Sequence, residues 1–231
     1  MKIEIYHLIE GARKAEGLTV IIDVFRAFSL ECYLCAMGAS QIRPVGTIKE
    51  AFAWRERDKD CILIGERHGR MCEGFDFGNS PSTVIPEKVR DKRIIHTTSA
   101  GTKGVINATG AEEIITGSLV NARAVAEYIK YKKPEKVSLV CMGKEGAERA
   151  KEDELCAEYI KSLIEDRKMA DLDERVKSLR FKGGEHFFDP DNQEVFPEAD
   201  FYKCIEYDKF DFVLKIRKDD QGFIVKKISP F

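Results

Sequence analysis

Lys92-Arg93-Ile94-Ile95-His96-Thr97-Thr98-Ser99-Ala100-Gly101-Thr102-Lys103-Gly104 is the stretch whose reading decides the fold. Its first residues are basic and then apolar, as in a short buried strand. Its remainder crowds four hydroxyls and two glycines into the entry of a helix. The same strand, polar turn and helix recur on both sides of it. Apolar runs predict strands over residues 1–8, 17–23, 41–45, 61–64, 94–96, 113–116 and 136–142. Helical spacing predicts helices over 27–37, 48–59, 101–108, 119–132 and 152–165. This alternation predicts an α/β fold: three layers, α/β/α, around a largely parallel or mixed sheet. Residues 70–86 read as loop. From 166 to about 200 the chain is charged and then aromatic, as in a helical excursion with a long ordered loop. Residues 211–216 and 222–228 read as a closing pair of strands. No repeat or low-complexity linker interrupts the chain, so the expectation is one unit over 1–231 with a C-terminal elaboration at 167–231.

Composition narrows the function classes. The 231 residues include 38 basic and 40 acidic side chains, a formal net charge of −2. That balance gives no overall attraction to nucleic acid or to an anionic membrane surface. No apolar run approaches membrane-spanning length. Seven cysteines, an odd number, do not suggest a disulfide framework. Cys32 and Cys35 form C-x-x-C, but no second such pair or His pair completes a zinc site, and helical spacing turns both toward a core. The first residues alternate as in a strand and lack the apolar core of a signal peptide. The expectation is a reduced, cytoplasmic protein.

In open α/β sheets ligands sit beyond the carboxyl ends of the strands. Five such ends here carry chemistry: Asp23 and Arg26 after 17–23, Glu66 and Arg67 after 61–64, the Thr/Ser/Gly run after 94–96, Ser118 and Asn121 after 113–116, and Asp153 beyond 136–142. Hydroxyls, glycine backbone and a helix N-terminus can together cradle an anion, although the Walker pattern is absent. Carboxylates beside a phosphate need a cation between them, and hard oxygen ligands favour Mg²⁺. Each residue also has a plainer reading. Asp23 and the Thr/Ser run could cap helices, Asp76 and Asn79 could form turns, and residues 152–154 could be a solvated charge run.

Read together, IIDVFRAFS (21–29), ILIGERHG (62–69), CEGFDFGNSP (72–81), HTTSAGTKG (96–104), TGSLVNA (116–122), VSLVCMG (137–143) and EDELCAEYI (152–160) resemble the 2-phosphosulfolactate phosphatase, or ComB, family. The resemblance runs through FFDPDNQEVFPEADFYKC (187–204) and so covers nearly the whole chain. Leu30 and His68 depart from the family pattern without removing an acid or an anion donor. The resemblance implies an α/β/α fold and a magnesium-dependent phosphoric monoester hydrolase. Its reaction would convert (2R)-2-phospho-3-sulfolactate to 3-sulfolactate and phosphate, a step of coenzyme M biosynthesis.

The residues suggest an allocation. Asp23, Glu66 and Asp153 are the expected Mg²⁺ ligands, with Asp76 as a substitute. Asp23 or Asp76 is the expected general base, and Arg26 belongs to the catalytic set. Thr97, Thr98, Ser99, Gly101 and Thr102 would hold the phosphate. Arg67, Arg26 and Arg123 would fork onto carboxylate or sulfonate, and Ser118 and Asn121 would orient a remaining oxygen. The expected partners are a small anionic phosphorylated substrate and, in a homodimer, a second copy of the chain, with neither nucleic acid nor membrane. A phospho-aspartate on Asp23 is the rival mechanism, although D-x-D is absent, and no C-x-x-x-x-x-R loop offers a phosphocysteine. The rival functions are a phosphatase of another phosphorylated hydroxy acid and a non-catalytic binder of an anionic metabolite.

Overall fold

Apolar runs bounded by turn residues become strands, and the amphipathic segments between them become the helices that cover the sheet. The computed structural model describes residues 1–229, so Pro230 and Phe231, the last positions of the expected unit, lie outside the described residues. The chain opens with β1 (Lys2–His7), α1 (Leu8–Lys14), β2 (Gly17–Ile22), α2 (Ala27–Ala36), β3 (Gln41–Pro44) and α3 (Ile48–Arg57). It continues through β4 (Ile62–Arg67), β5 (Arg70–Met71), α4 (Pro86–Val89), β6 (Arg93–Thr97), α5 (Gly101–Asn107) and β7 (Ala111–Gly117). The last part holds α6 (Ala122–Lys132), β8 (Lys136–Cys141), α7 (Lys151–Ile164), α8 (Leu172–Ser178), α9 (Glu198–Ile205), β9 (Val213–Asp219) and β10 (Gly222–Ile228).

The strands form one mixed sheet in the order β1-β8-β2-β7-β9-β10-β3-β6-β4-β5. Two parallel blocks, β1-β8-β2-β7 and β3-β6-β4, flank the antiparallel β9–β10 hairpin. The hairpin was expected as a closing pair, and it closes the middle of the sheet rather than an edge. Val225 pairs with Ile42 on one side of it, and Ile216 pairs with Ile114 on the other. Six steps separate β2 from β4 and the two blocks run in opposite senses, yet the turns after β2, β4 and β6 line one cavity.

Helices cover both faces. Leu18, Val20 and Ile22 of β2 face α6, α7, α8 and α9, and all six residues of β2 are buried. Ile21 faces the opposite layer of α1, α2, α4 and α5. At the far end, Leu63 and Ile95 pack with Ala51 and Trp54 of α3. A capping box starts α3, with Thr47 Oγ1 accepting from Glu50 N at 3.1 Å and Glu50 Oε2 accepting from Thr47 N at 3.0 Å. Helix α1 was not expected, because no side chain caps its start and Gly11 interrupts its pattern. Gly11 is required there: a Cβ would lie 2.9 Å from that of Tyr6.

The elaboration after residue 166 joins the main core through Leu172, Val176, Leu179, Phe187 and Phe201. A buried ion pair fastens it. Arg26, 3% exposed, donates to Asp200 Oδ2 at 2.8 Å, to Val195 O at 2.9 Å and to Gly69 O at 3.0 Å. Its guanidinium also lies 4.8 Å from the centre of the Phe196 ring. Asp200, fully buried, accepts in addition from Ser80 Oγ at 2.9 Å and Ser82 N at 2.8 Å. Removing one partner strands a charge in the interior. Asp200→Ala is therefore expected to lower the unfolding free energy in urea by about 3–5 kcal/mol. Glu56→Ala, which breaks an exposed pair with Lys59, is expected to leave it almost unchanged. Equal effects would contradict the stapling role.

Candidate active site

Six sequence segments meet at one cavity of about 560 Å³: the β2–α2 turn, the end of β4 with its hairpin, the loop after β5 at Asn79, the β6–α5 turn, the β8–α7 loop with the start of α7, and the C-terminal elaboration. Asp23, Glu66, Glu152 and Asp153 all line it, each no more than 7% exposed. None of the four carboxylates is paired with a Lys or Arg among the described residues.

Backbone N–H groups hold these acids in place. Asp23 Oδ1 accepts from Ala27 N at 3.2 Å, and its Oδ2 lies against Gly101. A Cβ on Gly101 would sit 2.8 Å from that oxygen, so glycine permits the approach. Asp153 accepts from Val24 N and Gly143 N, both at 2.8 Å, and so ties the turn after β2 to the turn after β8. Glu66 Oε1 accepts from Ser99 N at 2.7 Å. Its Oε2 accepts from Gly69 N at 2.8 Å and Ser99 Oγ at 3.2 Å. Glu152 Oε2 is buried with no partner.

Burial and mutual repulsion raise the proton affinities. Burial, followed by the charge of Asp153 and then Glu66, pushes Asp23 up to about 8. Burial and Glu152 do the same for Asp153. Burial and Asp23, with Glu185, do so for Glu152. Cations occupy the rim. Arg149 and Lys151 pair with Glu154 at 2.6 and 3.0 Å, whereas Lys144 makes no ion pair among the described residues. His186 and Phe196 close another wall, their rings 4.5 Å apart. Burial, then Arg26, lowers His186 to about 4, so its imidazole is neutral near pH 7. His68, at φ 53°, reaches across the mouth to Glu145 at 2.7 Å.

Several expected site residues lie elsewhere. Asp76, expected as a catalytic carboxylate, pairs with Arg55 and accepts from Leu63 N at 2.7 Å, holding its own loop to β4 outside the cavity. Arg26 borders the cavity, but its guanidinium is engaged by Asp200 and two carbonyls. Of the hydroxyl run, Ser99 lines the cavity and its donors serve Glu66. Thr98 and Thr102 bond to each other: Thr102 Oγ1 accepts from Thr98 N at 3.0 Å, and Thr98 Oγ1 accepts from Thr102 N at 3.1 Å. Thr97 accepts from Arg67 Nη2 at 3.0 Å. Ser118 and Asn121 are fully buried away from the cavity, with Ser118 N donating to Asn121 Oδ1 at 3.0 Å. Arg123 pairs with Asp208 at 2.9 Å beside a separate cavity of about 610 Å³ near the C-terminal half of α7. That cavity has no comparable set of buried, uncompensated acids. The sequence reading missed Glu152, Lys144 and His186 as site residues. Glu152 sits in an acidic triplet that is indistinguishable from a solvated face until α7 is seen to bury two of its three members.

The proton affinities carry a stability consequence. In metal-free protein the three raised carboxyls are protonated when folded and ionised when unfolded, between about pH 4 and about 8. The folded state binds more protons there, so stability falls as pH rises through that window. Urea unfolding between pH 5 and 8.5 is expected to show this slope, with Glu152→Gln flattening it. A flat wild-type profile would contradict the clustering.

Comparison with known proteins shows the family. Residues 3–219 match the family model described as 2-phosphosulpholactate phosphatase. A protein of Bacillus subtilis (strain 168) named "Probable 2-phosphosulfolactate phosphatase" is 30% identical over 233 residues, covering 99% of each chain. A protein of the same name from Caldanaerobacter subterraneus subsp. tengcongensis is 35% identical over 228 residues, covering 93% of each. Another from Carboxydothermus hydrogenoformans is 37% identical over 177 residues, or 76% of this chain and 73% of the relative. The chain belongs to the 2-phosphosulpholactate phosphatase family, and with it to the phosphoric monoester hydrolases.

Proposed function

We propose that this chain hydrolyses 2-phospho-3-sulfolactate to 3-sulfolactate and phosphate, using Mg²⁺, as in coenzyme M biosynthesis. The observation that carries the reading is the set of four buried carboxylates with no counter-ion, facing a cationic rim in one cavity. The name borne by the relatives supports the substrate, and so does its chemistry. Phosphate, sulfonate and carboxylate on a three-carbon skeleton need a small cavity with positive groups on one side, which Lys144 and its neighbours supply.

The residues present fit a hard cation. Every donor is oxygen, the Glu152 Oε2 atom has no partner, and the acids repel one another. Among the described residues, no three Asp, Glu, His or Cys side chains close on one ion. Mg²⁺ suits such a site, since it commonly takes one or two carboxylates and completes its shell with water and substrate oxygens. Glu152 and Asp153 are the residues that would hold it. Bound there, it would neutralise phosphate charge and lower the pKa of a coordinated water. Asp23, protonated in the metal-free site, would be ionised beside a bound cation, and its raised proton affinity then suits it to take the proton that the attacking water loses. Water oxygen would bond to phosphorus as its proton passes to Asp23, the bond from phosphorus to the C2 oxygen would break, and that oxygen would take the proton back from Asp23 to leave as the hydroxyl of sulfolactate. Glu66 keeps Ser99 and Gly69 in place around the phosphate.

Phosphate release from 2-phosphosulfolactate is expected with Mg²⁺ and not with EDTA. Asp23→Asn is expected to cut kcat by about 10²-fold or more with an unchanged circular dichroism spectrum. Near-normal turnover in that variant would refute the role given to Asp23. Release from other phosphorylated hydroxy acids only would refute the substrate and keep the chemistry. Binding of such esters with no release from any would favour the anion-binding reading.

A further inference from the structure

A chain of three fully or nearly buried polar side chains runs from the interior of α2 to the wall of the cavity. Glu31 and His96 are 0% exposed, and Asn79, which lines the cavity, is 4% exposed. Glu31 Oε1 stands 2.8 Å from His96 Nδ1, and His96 Nε2 stands 3.1 Å from Asn79 Oδ1. His96 Nε2 faces an amide oxygen and must carry a hydrogen to bond it, while Nδ1 is held by the Glu31 carboxyl on the other side of the ring.

The arrangement fixes the orientation of one amide. Because Asn79 Oδ1 accepts from His96, its Nδ2 points the other way, and its two N–H groups have no partner among the described residues. The backbone on that side is also held, since Ser80 Oγ and Ser82 N both donate to the buried Asp200. A His96 bare at Nε2 would accept there instead, draw the amide nitrogen inward and turn the carbonyl oxygen toward the cavity. The proton on Nε2 thus decides whether the wall offers donors or an acceptor.

We propose that Asn79 is an oxyanion-recognising residue of this site, presenting its amide N–H groups to a phosphoryl, sulfonate or carboxylate oxygen of the substrate, and that Glu31 and His96 are positioning residues that lock it in that orientation. The proposal rests on the phosphatase reading for the identity of the ligand, and on the geometry for the donor itself. It also assigns a use to the Gly78-Asn79-Ser80-Pro81 stretch, whose asparagine the sequence alone reads as a turn former.

Two measurements test it, and neither requires turnover. In ¹⁵N-labelled protein at pH 7, Nε2 of His96 is expected to carry a proton. A bare Nε2 in the wild type would overturn the proposal. Calorimetric titration with inorganic phosphate and with 3-sulfolactate gives the second test. Asn79→Asp keeps the acceptor for His96 and replaces the donor with an acceptor. It is expected to weaken at least one of the two ligands by tenfold or more, and the ligand affected identifies the group recognised. Asn79→Ala is expected to weaken the same ligand less. Unchanged affinity for both ligands in a folded Asn79→Asp protein would overturn the proposal. Wild-type binding of both ligands with no hydrolysis of the ester would refute the phosphatase reading and leave this assignment intact.

Discussion

Four carboxylates held close together without a counter-ion among the described residues are the constraint around which this fold is arranged. Asp23, Glu66, Glu152 and Asp153 come from three different segments, and each is nearly removed from water. Such crowding is unfavourable on its own, and burial makes it more so. The fold offsets it with backbone N–H groups. Asp153 takes two, Glu66 takes two and a hydroxyl, and Asp23 takes that of Ala27. The same bonds fasten the turn after β2 to the turn after β8, and the end of β4 to the turn after β6.

The C-terminal elaboration completes the enclosure. The Arg26–Asp200 pair pins it to the β2–α2 turn, and the attached segment brings Gly183, Glu185, His186 and Phe196 to the cavity wall. The β9–β10 hairpin that follows is inserted between the two parallel blocks. Residues distant in sequence are thereby committed both to the sheet and to the site.

The sequence and the structure agree where local pattern controls the outcome. The apolar runs 17–23 and 136–142 became β2 and β8 nearly residue for residue, and helix α7 started one residue from its expected position. Asp23, Glu66, Ser99 and Asp153 were legible as strand-end residues, and all four line the cavity. The misplacements share a physical cause: residue type does not reveal which partner a group will find. Arg26 looked free to fork onto a substrate and found Asp200 instead, 174 residues away. Thr98 and Thr102 looked like an anion cradle and satisfied each other. Glu152 looked solvated because charge runs usually are, and its burial depends on how α7 docks. The central position of β9 and β10 was likewise invisible, since alternation predicts a strand without predicting its neighbours.

We propose that Asp23, Glu152 and Asp153 form an incomplete cation site whose carboxyls stay protonated until a cation arrives. Calorimetric titration of Mg²⁺ near pH 7, in two buffers of different ionisation enthalpy, tests it most directly by counting the protons released on binding. The account predicts net proton release for each ion bound, reduced in Glu152→Gln. Binding with no proton release, or the absence of Mg²⁺ binding to a folded wild-type protein, would contradict it.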